Sequence, residues 1–257
     1  MNLKIFFKSV DRIFLKSTLL NVYAKIYNVI VRQGLKNKHG YSMEIIYQKN
    51  EHSELAKLCD FYGSDKGSLS SGPHPYPWSP HTYCDYYEMI FSARRFNVYK
   101  VFECGIGTNS PKLQSNMSAT GKPGASLRVW RDYFPNAQII GGDIDNDILF
   151  EETRIKTYYI DQTDSQSIQV FWNKVNQDDF DLILDDGLHT TDSGIKLFTH
   201  SFDKLSPSGL YIIEDIGILM LPDYVDYFKD KPFKVEYINL NRPDTKIGNN
   251  RLIVISR

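Results

Sequence analysis

Two acidic pairs and one histidine carry the clearest signs of chemistry in this sequence. Asp185 and Asp186 follow the apolar run FDLIL, and His189 comes three residues later. Glu214 and Asp215 follow a second apolar run, GLYII. If both runs are parallel strands, these side chains converge at the sheet edge where open α/β sheets bind ligands. Clustered carboxylates call for a divalent cation such as Mg²⁺, and one imidazole among acids suits a general base.

A structural explanation of the same residues stays open. Asp185 can cap the following helix, and Glu214 can pair with an arginine. We favour the chemical interpretation for Asp186, His189 and Asp215, because three polar groups at two neighbouring strand ends are hard to explain by capping alone.

A glycine-containing turn ends an earlier predicted strand. The string VFECGIG places Glu103, Gly105 and Gly107 where the chain must turn sharply and approach a ligand closely. Ser110 occupies the third glycine position of the dinucleotide-binding motif, which argues against a pyrophosphate site. We predict that these three residues contact a cofactor, together with Ser126 in the next helix.

Two further strand ends complete the predicted cofactor site. Asp143 follows QIIGG, where an acidic side chain can accept hydrogen bonds from ribose hydroxyls. Asp161 and Gln162 end the next strand and are predicted contacts of adenine or its ribose, and Asp185 is assigned to the same site. Acidic strand ends also cap helices, but three in succession favour cofactor binding.

The elements that position these residues alternate along the chain. Short apolar runs at 98–103, 138–142, 156–160, 180–184 and 209–213 predict strands, with helices predicted at 54–61, 83–91, 126–133, 165–176 and 193–205. Strands separated by helices imply parallel pairing in a doubly wound α/β sheet. The last two predicted strands, 233–240 and 251–256, form an antiparallel hairpin. This arrangement is typical of S-adenosylmethionine-dependent methyltransferases but does not separate them from other nucleotide-binding sheets.

Charge divides the chain into two parts. The net charge of the 257 residues is −1, but residues 1–42 hold eight basic residues and one acid, a net +7, which leaves −8 for the remainder. An acidic body argues against general affinity for nucleic acid. The sequence contains no apolar run of the ~18 residues that span a bilayer. Cys59, Cys84 and Cys104 show no paired spacing, so neither a disulfide scaffold nor a zinc site is predicted.

The basic N-terminal segment has helical periodicity. Apolar residues recur at spacings near three and four through residues 3–30, with one longer step, and lysine or arginine stands at every fourth position between 4 and 16. We predict an appendage over residues 1–50 and a single domain over residues 51–257. The helix can lie on an anionic membrane surface, but packing on its own domain or in a homodimer is the favoured alternative. The expected location is cytoplasmic, with peripheral contact at the inner face of the membrane as the alternative.

Several strings resemble one bacterial family. LCDFYGSDKGS, FECGIGTNSPKLQSNMSATGKPGASLRVWRDYFPNAQIIGGDID, RIKTYYIDQTD, DDGLHT and GLYIIEDI are similar, in that order, to metal-dependent sugar O-methyltransferases. The family includes enzymes like the mycinamicin sugar O-methyltransferase and members encoded with surface-polysaccharide synthesis. The resemblance covers residues 52–257 and implies a Rossmann-like class I fold with a mostly parallel seven-stranded sheet. It also implies S-adenosyl-L-methionine and Mg²⁺ beside a sugar diol.

The resemblance assigns roles to individual residues. It implies that Asp186 and Asp215 bind the metal and that His189 is the catalytic base. Glu214 is included as a further metal ligand, with Glu103 and Glu88 as other candidates for a third ligand. The substrate contacts assigned in the same way are Lys66, His81 and Tyr83. The region HPYPWSPHTY departs from the family pattern of His, aromatic, Thr and Tyr.

The function predicted from the sequence is methylation of a hydroxyl on a nucleotide-linked or surface-polysaccharide sugar, by a chain that is expected to form homo-oligomers. One alternative is methylation of another small hydroxylated or phosphorylated metabolite. A second is a non-catalytic, cofactor-binding scaffold in a glycan-assembly complex. A nucleic-acid methyltransferase is disfavoured because the sequence lacks an N/D-P-P-aromatic motif.

Overall fold

The computed structural model describes residues 42–245 and 247–257. The predicted basic helix near the N-terminus lies outside these residues. None of the helices in the described part of the chain is both long enough and apolar enough to span a membrane.

The described residues form nine strands in one mixed sheet, in the order β1-β8-β9-β7-β6-β2-β3-β5-β4. The strand bounds are β1 (Ser42–Ile46), β2 (Lys100–Cys104), β3 (Gln138–Asp143), β4 (Glu151–Glu152), β5 (Ile155–Tyr159), β6 (Phe180–Asp185), β7 (Leu205–Ile213), β8 (Lys234–Asn241) and β9 (Arg251–Ser256).

The sheet confirms the predicted doubly wound α/β fold. Strands β5, β3, β2, β6 and β7 pair in parallel, and β9 runs antiparallel to both β7 and β8. These seven strands are the predicted ones. The count differs from the prediction by two edge strands, the two-residue β4 beside β5 and β1 beside β8.

In the part of the chain that the structure describes, the strands are connected by six α-helices: α1 (Glu54–Tyr62), α2 (Tyr83–Phe91), α3 (Ala125–Tyr133), α4 (Ser165–Val175), α5 (Thr191–Ser201) and α6 (Leu221–Phe228). Helix α1 illustrates how the local sequence sets a helix start. The hydroxyl of Ser53 accepts a hydrogen bond from the backbone N–H of Ala56 and so caps the first turn. Helix α5 ends four residues earlier than predicted, because Phe202–Lys204 forms a 3₁₀ turn and Leu205 begins β7. Helix α6 was not predicted.

Alternate residues of the strands face two different helical layers. Val101 in β2 packs in the core that includes α1, α2 and α3, whereas the ring of the next residue, Phe102, lies 4.8 Å from that of Phe171 in α4. Because side-chain direction alternates along a strand, Glu103 points to the same side as Val101. This alternation decides which polar residues at the strand ends reach the ligand edge and which are buried beneath it.

Candidate active site

The carboxyl ends of β2, β3, β6 and β7 meet at one edge of the sheet, beside a cavity of about 730 Å³. Its lining includes most of the residues singled out from the sequence: Gly105, Gly107, Asp143, Asp161, Gln162, Asp186, His189, Asp215 and His81. The remaining predicted site residues, Glu103, Ser126, Asp185, Glu214, Lys66 and Tyr83, do not belong to this lining among the described residues.

The glycine turn after β2 lets two strand ends approach closely. Gly105 and Gly107 have φ angles of 87° and 85°, which a residue with a side chain adopts only with strain. A Cβ at Gly105 would lie 2.1 Å from the carbonyl oxygen of Asp186. The turn after β2 is therefore in direct backbone contact with the turn that carries Asp186.

Asp143 holds the glycine turn as well as lining the cavity. One carboxylate oxygen accepts from the backbone N–H of Ile106 and the other from that of Asp145, both at 2.9 Å. Burial raises the pKa of Asp143, and these hydrogen bonds oppose the shift. Each carboxylate oxygen can accept a further hydrogen bond, so the fixed side chain can still receive ribose hydroxyls.

Gln162 lines the cavity but uses both ends of its amide inside the protein. Its Nε2 donates to Asp185 at 2.6 Å, and its Oε1 accepts from the backbone N–H of Leu188 at 2.9 Å. Both contacts fix the turn after β6. The contact of Gln162 with adenine or its ribose stays a prediction, and the structure shows in addition that its amide positions the turn that carries Asp186 and His189.

Two residues assigned to the cofactor from the sequence lie below the cavity. Asp185 is buried at the end of β6, and burial raises its pKa to about 6. Ser126 is buried in the first turn of α3. Neither side chain belongs to the lining of the cavity, and Asp185 is held beneath it by the hydrogen bond from Gln162 Nε2.

Asp186, His189 and Asp215 form a half-buried group that we call the open trio. Each offers one ligand atom, and the three atoms lie within 4.8 Å of one another. His189 Nε2 is 3.6 Å from Asp215 Oδ2 and 4.0 Å from Asp186 Oδ1. His189 and Asp215 both have positive φ angles, 55° and 57°, a costly conformation that is concentrated at functional sites.

In Asp186 and Asp215, one carboxylate oxygen faces His189 and the second is held by neighbouring donor groups. Asp215 Oδ1 accepts from the Tyr83 hydroxyl at 2.9 Å and from Asn249 Nδ2 at 2.7 Å, with His81 Nε2 at 3.2 Å. Tyr83, predicted to touch substrate, is fully buried and instead holds Asp215. Asp215 Oδ2 and Asp186 Oδ1 are thereby left facing His189.

A second acidic group lies directly beneath the open trio. Lys66, only 2% exposed, places its Nζ 2.7 Å from Asp186 Oδ2 and 3.1 Å from Glu103 Oε1, and it also contacts Glu214. We call Lys66, Glu103 and Glu214 the sealed cluster. Lys66 was predicted to contact substrate, but its position is beneath the cavity, where it binds acids.

Both glutamates of the sealed cluster have protein partners, and for Glu103 Oε1 that partner is the ion pair with Lys66. Glu103 also accepts from the indole Nε1 of Trp130 at 2.7 Å, and Glu214 accepts from the hydroxyl of Tyr87. Burial alone would lower the pKa of Lys66, but the charges of the surrounding carboxylates outweigh it and hold the pKa well above its usual range. Burial raises the pKa of both glutamates, against the effect of the lysine.

The three candidates for a third metal ligand, Glu214, Glu103 and Glu88, all have partners within the protein. Both oxygens of Glu214 have protein partners, one of which is Lys66, and Glu103 is held away from the cavity. Glu88 is not at this edge, because its carboxylate accepts from Ser53 and from the backbone N–H of Leu55 at the start of α1. A role for Glu214 in metal binding remains a prediction.

The open trio fits a divalent cation. Two carboxylate oxygens on separate strand ends, each with its second oxygen fixed, form a preorganised donor set that suits Mg²⁺. The sequence did not indicate Asn249, whose side chain fixes Asp215 from the loop between β8 and β9. No sequence pattern in this turn-rich loop indicates a contact with Asp215. The hydrogen bond from Asn249 forms only when the hairpin of β8 and β9 pairs beside β7.

Comparisons with known proteins agree with this architecture. The chain is 31% identical over 176 residues to 8-demethyl-8-alpha-L-rhamnosyl tetracenomycin-C 2'-O-methyltransferase from Streptomyces olivaceus, covering 68% of this chain and 41% of the relative. It is 30% identical over 144 residues to mycinamicin VI 2''-O-methyltransferase from Micromonospora griseorubida, covering 56% of this chain and 34% of the relative. The chain thus spans about two fifths or less of the lengths of these relatives. No family model matches it.

A solved structure gives the fold. The MycE methyltransferase from the mycinamycin biosynthetic pathway, in complex with Mg, SAH and mycinamycin VI, matches 79% of this chain and 54% of its own. The TM-score is 0.56 at 22% sequence identity. The chain therefore has the Rossmann-like class I methyltransferase fold, and it is related in sequence to O-methyltransferases.

Proposed function

We propose that this chain is an S-adenosylmethionine-dependent, Mg²⁺-assisted O-methyltransferase that acts on a sugar hydroxyl. The observation that carries the proposal is the position of the open trio. It lines the same cavity as the predicted cofactor residues Gly105, Gly107, Asp143 and Asp161. The names of the relatives support it, since they describe O-methyltransferases of rhamnosyl tetracenomycin and mycinamicin.

The residues around the cavity fit both S-adenosylmethionine and Mg²⁺. Gly105, Gly107, Asp143 and Asp161 would hold S-adenosylmethionine, which supplies an electrophilic methyl group on a sulfonium sulfur. Asp186 and Asp215 would hold Mg²⁺, which supplies Lewis-acid stabilisation of developing negative charge and orients neighbouring hydroxyls.

His189 is the group that handles the proton. A sugar hydroxyl is a weak nucleophile at neutral pH, so its proton must leave as the oxygen bonds to carbon. His189 Nε2 faces the space beside the two aspartates and would accept that proton. Asp215 Oδ2 is 3.6 Å away, so the proton acceptor lies beside an oxygen that would hold the metal. The walls of the cavity hold the acceptor in place and so supply the orientation that reduces the entropic part of the barrier.

The first experiment measures methyl transfer to sugar acceptors by the wild type and by His189→Ala, with binding of S-adenosylhomocysteine as the control. We expect kcat to fall by ~10²–10⁴-fold while the ligand still binds, because the variant removes only a proton acceptor. A chelator should abolish transfer by the wild type, and added Mg²⁺ should restore it. Full activity of His189→Ala and of the chelated enzyme would refute this mechanism.

We also propose a substrate context more specific than the relatives' names give. The family resemblance of the sequence points to a nucleotide-linked sugar or a surface-polysaccharide precursor. A screen of nucleotide sugars, phenols and phosphorylated metabolites as methyl acceptors tests this. Preferred transfer to phenols or phosphorylated metabolites would favour the alternative substrate class. Cofactor binding without transfer to any acceptor would favour a non-catalytic scaffold.

The organisation of the chain belongs to the same proposal. The predicted boundary lies at residue 50, but β1 (Ser42–Ile46) pairs beside β8 in the same sheet, so we assign residues 42–257 to catalysis in the cytoplasm. We assign the preceding residues to the appendage, with the basic segment mediating self-association or contact with the inner face of the membrane. Both roles are tested by comparing the full chain with a deletion of residues 1–41. Size-exclusion chromatography measures self-association, and co-sedimentation with anionic vesicles measures membrane contact. The acidic body supports a substrate other than nucleic acid.

A further inference from the structure

A stack of aromatic rings forms part of the loop between α1 and α2. The rings of His74 and Tyr76 are 5.2 Å apart and nearly parallel, and those of Tyr76 and Trp78 are 5.5 Å apart at an angle of 26°. Tyr76 is buried, whereas Trp78 is partly exposed and lines the cavity. Among the described residues of that lining, Trp78 is the single tryptophan.

Trp78 is held firmly in this position. Its indole Nε1 donates to Asp65 Oδ2 at 2.7 Å, and Tyr76 supports the ring from the protein side. A side chain fixed by a hydrogen bond and by stacking loses little further conformational entropy when a ligand contacts it. Trp78 therefore has the properties of a preformed contact surface.

The contacts of Asp65 place this surface at the open-trio end of the cavity. Its carbonyl oxygen accepts from the backbone N–H of His81 at 2.7 Å, and His81 Nε2 lies 3.2 Å from Asp215. The residue after Asp65 is Lys66, whose Nζ is 2.7 Å from Asp186. Through Asp65 and the residues that Asp65 contacts or precedes, Trp78 is therefore linked to both aspartates of the open trio.

The chemistry of the two surfaces is complementary to a pyranose. One side of such a ring presents C–H groups, which are apolar and weakly positive, while its hydroxyls point outward. An indole face is apolar and carries negative electron density, so it suits the C–H side. The open trio suits the hydroxyls. An acceptor lying on Trp78 would present its hydroxyl edge to His189.

We infer that Trp78 is the platform on which the acceptor sugar stacks, and that it is a specificity-determining residue of this site. The inference rests on the proposed sugar O-methyltransferase function and adds the subsite that selects the sugar ring. Asp65 acts as a positioning residue, because it contacts the indole Nε1 and fixes the orientation of the ring.

The test compares Trp78→Ala and Trp78→Phe with Trp172→Phe, a control at a buried tryptophan whose Nε1 donates to Ser201. Methyl transfer is measured on the methyl glycosides of rhamnose, fucose, glucose and galactose. For the best acceptor, we expect Trp78→Ala to raise KM about tenfold or more and to leave kcat within about threefold, with Trp78→Phe between it and the wild type. S-adenosylhomocysteine binding should not change in any variant.

Intrinsic fluorescence gives a readout that does not require turnover. The chain has three tryptophans, Trp78, Trp130 and Trp172, so a glycoside that stacks on Trp78 should change the emission of the wild type and of Trp172→Phe but not that of Trp78→Phe. Uridine diphosphate alone is the comparison for a stacked base, and an equal change with it would refute sugar stacking.

The outcomes separate the two proposals. If the wild type methylates a glycoside and Trp78→Ala retains its KM, the platform is refuted while the proposed function stands. If the wild type methylates none of the sugars, including nucleotide-linked ones, the proposed function fails first. Denaturation midpoints of all variants close to that of the wild type exclude misfolding as the cause of a raised KM.

Discussion

The open trio and the sealed cluster lie within a few ångströms of each other, share Asp186 as a contact, and consist largely of the same residue type. In the open trio the side chains of Asp186, His189 and Asp215 are 22%, 28% and 16% exposed. In the sealed cluster those of Lys66, Glu103 and Glu214 are 2%, 0% and 1% exposed. A ligand can reach the first group, whereas the second has its counter-charge built in.

Two pairs of consecutive acids show that one step along the chain separates a buried side chain from one that lines the cavity. Asp185 and Asp186 are consecutive, as are Glu214 and Asp215, yet in each pair the first side chain turns inward and the second faces the cavity. Two adjacent acids after an apolar strand therefore do not share a role. The first is buried in a hydrogen-bond network, and the second becomes available to a ligand.

The largest expected effect is on the stability of the sealed cluster. Replacing Lys66 with methionine leaves buried carboxylates without their cation, which should lower the free energy of unfolding by ~3–5 kcal/mol. Urea denaturation at pH 7 measures this. The control is Lys57→Met, because Lys57 pairs with Glu54 on the exposed face of α1 and should contribute within ~0.5 kcal/mol. Equal small losses in both variants would show that the sealed cluster is not a buried ion network.

A pair of neighbouring substitutions tests whether metal binding belongs to the open trio alone. Asp215→Asn should weaken Mn²⁺ binding by more than the ~10–100-fold that is typical for loss of an outer-shell partner. Glu214→Gln should affect mainly the free energy of unfolding, by ~1–3 kcal/mol, because its partners are Lys66 and Tyr87. Calorimetric titration with Mn²⁺ measures the affinities. An equal loss of affinity in Glu214→Gln would identify Glu214 as a third ligand and remove the distinction between the groups.

A smaller effect on Mn²⁺ affinity is expected from a change at Asn249, which holds Asp215 by a hydrogen bond from the loop between β8 and β9. Asn249→Ala removes the 2.7 Å hydrogen bond to Asp215 Oδ1, so the carboxylate can rotate away from the metal position. We expect the Mn²⁺ dissociation constant to rise ~10-fold, within the range for outer-shell contacts, with little change in S-adenosylhomocysteine binding. Unchanged Mn²⁺ affinity would show that Tyr83 and His81 suffice to hold Asp215.

The smallest effect extends the comparison to a partly buried ion pair at the surface, Arg128 with Glu152. Hydrogen bonds from Arg128 lower the pKa of Glu152 below its usual value of 4.5. A lowered pKa contributes stability above pH 4.5, and this contribution disappears as the pH falls through the lowered folded-state value. Glu152→Gln should therefore reduce the free energy of unfolding by at most ~1 kcal/mol at pH 7 and have less effect at pH 3.

The control for this pH comparison is Glu151→Gln, whose side chain is 69% exposed beside Lys156. It should show a smaller difference between the two pH values. A larger pH dependence for Glu151 than for Glu152 would contradict the assigned ion pair.

The sequence was sufficient for the fold because each parallel strand has a distinct apolar run and each crossover has a helix. It was also sufficient to bring Asp186, His189 and Asp215 together, since the carboxyl ends of parallel strands share one edge. It could not place Lys66, which lies 120 positions from Asp186 in the chain and is positioned by a loop. Nor could strand ends alone show that Glu103 faces α3, because its orientation depends on where the register of β2 begins.

The backbone contact between Gly105 and Asp186 has a thermodynamic consequence. The glycine turn at the proposed cofactor end and the turn that carries an aspartate of the open trio cannot move independently at this distance. If binding at one end shifts its turn, the affinity at the other end changes, and the coupling free energy is the same in both directions. Any factor by which a cation alters the dissociation constant of S-adenosylhomocysteine must therefore equal the factor by which S-adenosylhomocysteine alters that of the cation.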